Sequence, residues 1–251
     1  VSISGNELIK RRRRKMAIRR TVILTILLVS LITILCLKLE YFNIKNVKVT
    51  NNKVVNGEEI INLSQINMGT NIFYTDIKKI QTNVLNNPYI LKADVKRRLP
   101  NTINIIVKER EAVFYAVALD KFFIIDKNGV VLEERKDILG MILTKLEGFN
   151  LEDAEVGKVI ASDSSRKLEN IGLITELISI NSSGINITSV DLTDDLNIKI
   201  YCGDMYVRVG GSSIKERLNL ALNIMVDNNL KGKKGYIDVS SEGNPVLRID
   251  N

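Results

Sequence analysis

The 251-residue chain contains no histidine and no tryptophan. Histidine is the side chain that titrates nearest neutral pH and the commonest metal ligand, so its absence removes the usual general base and the usual metal donor together. Cysteine is scarce: Cys36 and Cys202 are the two present. One lies in an apolar run and the other far from it. No disulfide framework is therefore expected, and each reads as a small apolar packing residue. A further absence is hidden by the totals. The net charge is +7, which invites a nucleic-acid reading. Residues 1–20, however, hold Lys10, Arg11, Arg12, Arg13, Arg14, Lys15, Arg19 and Arg20 against Glu7 alone. Beyond residue 20 the basic and acidic side chains cancel, 28 against 28. The excess belongs to the tail, and nothing favours a phosphate-binding face elsewhere.

What the sequence does have is one long uncharged run, Thr21 to Leu37, followed by Lys38 and Leu39. That length spans a hydrocarbon core, with Lys38 able to snorkel to the headgroups. A cleaved signal peptide would be shorter in its apolar part and would end in small residues; here the run ends in Lys38-Leu39-Glu40-Tyr41-Phe42. A soluble core helix would carry a polar stripe, and none is present. The expectation is an uncleaved transmembrane helix over 21–39 with a basic tail at 1–20. The cation excess on the N-terminal flank places that tail in the cytoplasm and the remainder across the membrane. Arg11, Arg12, Arg13, Arg14, Lys15, Arg19 and Arg20 read first as that topology signal, with contact to anionic lipid as a second role.

Past the run, Ile44, Val47 and Val49 alternate as in a strand. Asn56 with Glu59 forms a capping-box pattern ahead of a short helix carrying Ile60, Ile61 and Leu63, which Gly69 is expected to break. Asn71-Ile72-Phe73 reads as an extended link. Thr75 or Asp76 caps a second helix with Ile77, Ile80, Val84 and Leu85 at helical spacing, stopped by Asn86-Asn87-Pro88. Leu91, Ala93 and Val95, then Ile103, Ile105 and Val107, alternate with polar residues on either side of Leu99-Pro100-Asn101, a hairpin with one buried face. The order strand, helix, helix, strand, strand occupies residues 42–110.

These residues carry a specific resemblance. The unit resembles a POTRA domain, and its details are similar to the FtsQ/DivIB family of bacterial cell-division proteins. The matching stretches are Ile44-x-x-Val47 with Val49, Gly69-Thr70-Asn71-Ile72-Phe73, Asn87-Pro88-Tyr89-Ile90 and Ala93-Asp94-Val95-Lys96-Arg97. Leu99-Pro100-Asn101-Thr102-Ile103 and Val107-x-Glu109-Arg110-Glu111 complete the set. Ala112 stands where the family often has proline. Further on, Phe123-Ile124-Ile125-Asp126-x-x-Gly129-Val130-Val131 is similar to the family's Asp-x-x-Gly hairpin, with Phe for Tyr. Val207-x-Val209-Gly210, Gly235-Tyr236-Ile237-Asp238-Val239 and Pro245-Val246-x-Arg248 also match. After Leu139 the match weakens, because the family's Leu-Pro ahead of Gly148 is missing.

Residues 111–251 read as a second domain. Ala112–Leu119 is an apolar strand, and the segments around Asp126–Gly129 form a hairpin. Residues 163–180 form a helix with Leu168, Ile171, Leu173, Ile174, Leu177 and Ile178 near one stripe. Strands follow at Ile185–Leu192, Leu196–Tyr201 and Met205–Val209, a helix at Ile214–Asn229, and strands at Tyr236–Val239 and Val246–Ile249. The fold class is α+β: a transmembrane helix, a β-α-α-β-β unit and a mostly antiparallel sheet backed by helices.

Motifs with catalytic associations give way to plainer readings. Ser164-Ser165-Arg166-Lys167 fits Ser-x-x-Lys, but the partner motifs of that chemistry are missing, and Ser164 sits where a helix begins. Gly232-Lys233-Lys234 is not a Walker A loop. Gly210-Gly211-Ser212-Ser213 could cradle an anion but reads better as a turn into the following helix. Glu133-Glu134 and Asp194-Asp195 read as solvated acids in turns.

The resemblance implies a non-enzymatic divisome scaffold at the septum. It implies binding to small bitopic proteins, FtsL-like and FtsB/DivIC-like, in an assembly that controls the septal peptidoglycan synthase. The mechanism it suggests is addition of a partner strand to the last strands, at Tyr236, Ile237, Asp238, Val239, Val246 and Arg248. No cofactor, nucleic acid or small-molecule substrate is implied. Two other classes stand beside it: a membrane-anchored cell-wall enzyme, and a POTRA protein of export or assembly. The latter continues into a long barrel that the sequence to Asn251 is not expected to hold.

Overall fold

The computed structural model describes residues 5–160 and 165–250. Helix α1 (Gly5–Lys38) runs without interruption through both the basic tail and the apolar run. At 1.5 Å per residue its 34 residues reach about 51 Å, well beyond the ~30 Å of a hydrocarbon core. From Val22 to Leu35 its large apolar side chains point outward on every side and are more than 40% exposed. A continuous apolar surface of this kind marks contact with a membrane or with another protein. The three threonines in the run are satisfied within the helix: the Thr21, Thr25 and Thr33 hydroxyls donate to the carbonyls of Ala17, Thr21 and Val29 at 2.9–3.0 Å. That is what a hydrocarbon environment demands. The helix is long and apolar enough to cross a membrane.

The chain divides into two compact units. The first takes α1, everything up to Val84, and Lys92–Val107. After α1 come β1 (Asn46–Thr50), α2 (Gly57–Ser64), α3 (Ile77–Leu85), β2 (Ile90–Arg98) and β3 (Thr102–Glu109). The expected strand-helix-helix-strand-strand order is present. Asn56 caps α2 by accepting from the Glu58 N–H at 3.0 Å, and Asp76, rather than Thr75, caps α3 by accepting from Lys78 and Lys79. The sheet order is β1-β3-β2, with β1 and β3 parallel and Val47 opposite Ile103. β2 and β3 are joined by a turn too short for a crossover, so they run antiparallel. Ala93, Val95, Ile103, Ile105 and Val107 form the buried face of the sheet, together with Ile60, Ile80 and Val84 from the helices.

Two local expectations change here. Helix α2 does not run on to Gly69; it ends at Ser64 because Gln65 takes the left-handed conformation (φ 52°). Asn71-Ile72-Phe73 is not extended. It is a tight turn in which the Asn71 carbonyl accepts from the Tyr74 N–H, and the Asn71 side-chain oxygen accepts from the Phe73 N–H.

The second unit takes Leu85–Leu91 and the chain from Lys108 onward. Its strands are β4 (Ala112–Ala118), β5 (Lys121–Asp126), β6 (Val131–Arg135), β7 (Thr144–Glu147), β8 (Ser189–Asp191), β9 (Lys199–Cys202), β10 (Met205–Arg208), β11 (Gly235–Asp238) and β12 (Val246–Ile249). They make one sheet in the order β12-β11-β10-β9-β8-β7-β4-β5-β6. The junctions β4/β7, β7/β8 and β10/β11 are parallel and the other five antiparallel, so the sheet is mostly antiparallel as expected. Helices α4 (Ser165–Ile180) and α5 (Ile214–Asp227) back it. Ile171, Ile174 and Leu177 of α4 and Leu218, Ala221, Leu222 and Met225 of α5 recur every three or four residues. They bury against Ile200, Val207 and Ile237 of the sheet. Leu173 falls off that stripe and is 37% exposed. Ser164, read as the cap of α4, lies outside the described residues. Glu133 and Glu134 are strand residues of β6, not turn residues: Glu133 accepts from the Tyr89 hydroxyl at 2.9 Å, and Glu134 pairs with Lys121 at 2.7 Å.

Two of the stretches that carry the family resemblance meet in this unit. Asp126 is 2% exposed and accepts the N–H groups of Asn128 and Val130 on one carboxylate oxygen, each at 2.8 Å. Its other oxygen takes the Arg110 guanidinium at 2.8 Å. Gly129, at φ +78°, completes the turn.

Candidate functional site

The nine-stranded order leaves two outer strands, β12 and β6. The β6 side is partly covered, because Val131 bonds to Gly157 and Lys158 through N–H and carbonyl. At β12 all four residues are exposed, from 38% for Leu247 to 55% for Val246 among the apolar ones. The Asp250 N–H donates to the Lys234 carbonyl at 2.9 Å. That bond sets the phase of the ladder: Arg248 and Val246 pair through their main chain with β11, and Leu247 and Ile249 turn their N–H and C=O toward the open edge. Such an edge is a template for another extended segment.

Gly235 makes this strand possible. Its φ is +147°, and a Cβ placed there would lie 2.1 Å from the Arg248 carbonyl oxygen. Only a residue without a Cβ lets β12 close onto β11 at this point.

Side chains of alternate residues decorate the face turned away from the helices. Cross-strand register aligns Tyr201, Tyr206, Tyr236 and Arg248 in one row over β9 to β12, and Lys199, Arg208, Asp238 and Val246 in the next. The tyrosine rings follow one another at 5.7 and 5.5 Å, and the Arg208 guanidinium lies over Tyr206 and Tyr236 at 5.8 and 5.4 Å. Arg208 also reaches Asp238 at 3.7 Å. Partial burial pushes the Asp238 carboxyl up, but the Ser240 hydroxyl and N–H at 2.6 and 3.0 Å, with Arg208, outweigh it and hold the group below the usual carboxylate range. Arg217 of α5 donates to the carbonyls of Val209 and Ser240, fastening the ends of β10 and β11 together.

Of the six residues expected to bind a partner, Tyr236, Asp238, Val246 and Arg248 therefore share one corner of the outer face beside the open edge. Ile237 and Val239 point the other way, at 0% and 4% exposure, and are core residues. The residues not anticipated are Tyr201, Tyr206 and Arg208 on the outer face, Gly235 beneath it, and Leu247 and Ile249 at the edge. Tyrosines at the polar positions of alternating strands were the legible signal for the first two. Chemically the corner can pair with an extended main chain and read side chains with an aromatic–guanidinium surface. Tyr and Arg are the residue types that dominate binding energy at protein interfaces.

The remaining residues singled out earlier are dispersed. Arg11 to Lys15, with Arg19 and Arg20, lie on α1, where successive residues are turned by about 100° and so encircle it. Lys167 is buried with its ammonium on the Gly148 carbonyl at 3.1 Å. Cys202 is buried, and desolvation pushes its thiol up to about 12.

Comparison with known proteins fits this architecture. Residues 42–110 match the model of the FtsQ-type POTRA domain, and residues 115–240 match that of the C-terminal region of cell division protein FtsQ/DivIB. The chain is 46% identical over 222 residues to the cell division protein DivIB of Clostridium acetobutylicum, covering 88% of each. It is 41% identical over 250 residues to DivIB of Clostridium botulinum strain Hall, covering 99% of this chain and 98% of that one. With DivIB of Bacillus subtilis the identity is 29% over 203 residues, 79% of this chain and 72% of the other. An apolar helix, a β-α-α-β-β unit and a helix-backed sheet thus come together in a chain that belongs to the FtsQ/DivIB family of bacterial cell-division proteins.

Proposed function

We propose that this chain is a non-enzymatic scaffold of the division machinery that receives a strand from a small bitopic partner at the open edge of β12. The observation that carries the reading is the exposed β12 edge beside the Tyr236, Asp238, Val246 and Arg248 corner, in a chain of a cell-division family. Main-chain bonds from Leu247 and Ile249 supply affinity, and the alternate side chains supply selectivity. The partners are FtsL-like and FtsB/DivIC-like proteins, and the assembly restrains or releases the septal peptidoglycan synthase. Helix α1 anchors the chain once across the cell membrane. The cations at its N-terminal end keep that end cytoplasmic and place both folded units outside, at the septum.

The test is co-purification of the full chain with candidate bitopic proteins. Leu247→Pro removes one outward N–H while leaving the bonds to β11 in place, and Val246→Lys alters the reading face. Both are expected to lose the partner. Undiminished capture by Leu247→Pro would overturn strand addition. Ile237→Lys is no test, because it would place a charge in the core.

A further inference from the structure

The first folded unit is fastened to the end of α1 by the Asn71 side chain and by a set of main-chain hydrogen bonds. The Asn71 amide donates to the carbonyls of Cys36 and Leu37, at 2.9 and 3.3 Å, satisfying acceptors that the last turn of a helix leaves open. The Ile72 N–H donates to the Phe42 carbonyl, and the Ile44 N–H to that of Thr70. Arg97, from the far end of β2, donates to the carbonyls of Ile72 and Thr75 at 2.8 and 2.7 Å. The Lys45 N–H donates to Asn101 in the β2–β3 turn. The turn at 71–75, the turn at 99–101 and the chain leaving α1 therefore sit together at one end of the unit.

That end is unusually apolar and aromatic. Tyr41 is 62% exposed, Tyr74 69%, Leu99 60% and Phe73 37%. Phe42 bridges Tyr41 and Phe73, with ring centroids at 5.3 and 5.5 Å. The chain has thirteen Phe and Tyr residues, and four of them crowd here. Lys38, Lys45, Arg97 and Arg98 stand among them, against Glu40. Aromatic rings that are apolar in body and polar at the tip, alternating with Lys and Arg, are the side chains that settle at the headgroup level of a bilayer. A purely structural role does not require Tyr74 and Leu99 to remain bare.

We propose that Tyr41, Phe73, Tyr74 and Leu99, with Arg98 and Lys45, form a collar that docks the first unit onto the lipid–water interface of the membrane that α1 spans. The inference rests on the reading of α1 as a span. The cations face the lipid phosphates, which attract Lys and Arg near an anionic surface, while the rings and Leu99 enter the headgroup layer. The unit is then held by two attachments, the helix and its own rim.

The absence of tryptophan makes the test clean. The full chain is reconstituted in phosphatidylglycerol–phosphatidylcholine vesicles carrying bromine at a shallow or a deep acyl position. Single-tryptophan variants are Tyr74→Trp and Leu99→Trp for the collar, Leu27→Trp for the span and Leu139→Trp for the 81%-exposed loop far along the chain. The expected result is blue-shifted emission from both collar variants, lost mainly to the shallow bromine, with Leu27→Trp lost mainly to the deep one. Collar emission as red and as unquenched as that of Leu139→Trp, with Leu27→Trp still quenched, overturns the collar and leaves the span intact. An unquenched Leu27→Trp overturns the span and the collar with it. A blue shift that arises only when a bitopic partner is added assigns the surface to a protein helix and also overturns the proposal.

Discussion

At the scale of single residues, the most exacting position is Gly235, where the β12 backbone occupies the space a methyl group would need. Gly235→Ala is expected to cost about 1–3 kcal/mol through forced backbone strain. It should also free β12: hydrogen exchange at 246–249 would become fast while 205–208 stays protected. Arg110 and Asp126 form a second sensitive point. Arg110→Ala leaves a 2%-exposed carboxylate without its cation, a change worth about 3 kcal/mol, measurable as an earlier urea midpoint. Asp238 gives a pH signature. Its folded carboxyl is held below the ordinary value by Ser240 and Arg208, so its contribution is present above the unfolded aspartate pKa of about 3.9 and is lost as pH falls through the folded value. The melting-temperature gap between wild type and Asp238→Asn should accordingly be full near neutral pH and close below about pH 4.

At the scale of elements, the first unit was the more legible. Clean alternation in β2 and β3 and the capping residues Asn56 and Asp76 are local signals, and they act locally. The turn at Asn71 was not legible, because the carbonyls that its side chain serves lie 34 and 35 residues earlier. Strand β7 is illegible for a related reason. It has four residues between Gly140 and Gly148, and it is a strand only because β4 and β8 flank it with parallel partners. At the candidate site the strand positions and the two faces of each strand are both legible in the alternation. The alternation through Ile237 and Val239 assigns them to the core, and the open edge emerges only from the full nine-strand order. The clamp at the base of the first unit can be tested as an element: Asn71→Ala should accelerate amide exchange through 42–44 and 69–73 in detergent-solubilised full chain, leaving β3 unchanged.

At the scale of the whole molecule, charge is partitioned more sharply than the totals suggest. Residues 42–110 carry eleven cations and five acids, whereas residues 111–251 carry sixteen and twenty-two. The cancellation beyond residue 20 is thus between domains, not within them. These two charge balances predict salt-dependent behaviour: raising ionic strength through 0.15 M, where the screening length is about 8 Å, should weaken any partner contact that depends on the acidic charge of residues 111–251 more than one made through β12 main-chain bonds. The basic residues that encircle α1 have a consequence that is mechanical. In the topology proposed above, a load applied to the folded units along the membrane normal extracts the helix only by dragging Arg20, Arg19 and then Lys15 into hydrocarbon, at about 2.5–3.5 kcal/mol for each. The ring of charge behaves as the head of a rivet. Replacing Arg19 and Arg20 with alanine should lower the force at which a single molecule is pulled from a supported bilayer, without altering how the folded units unfold.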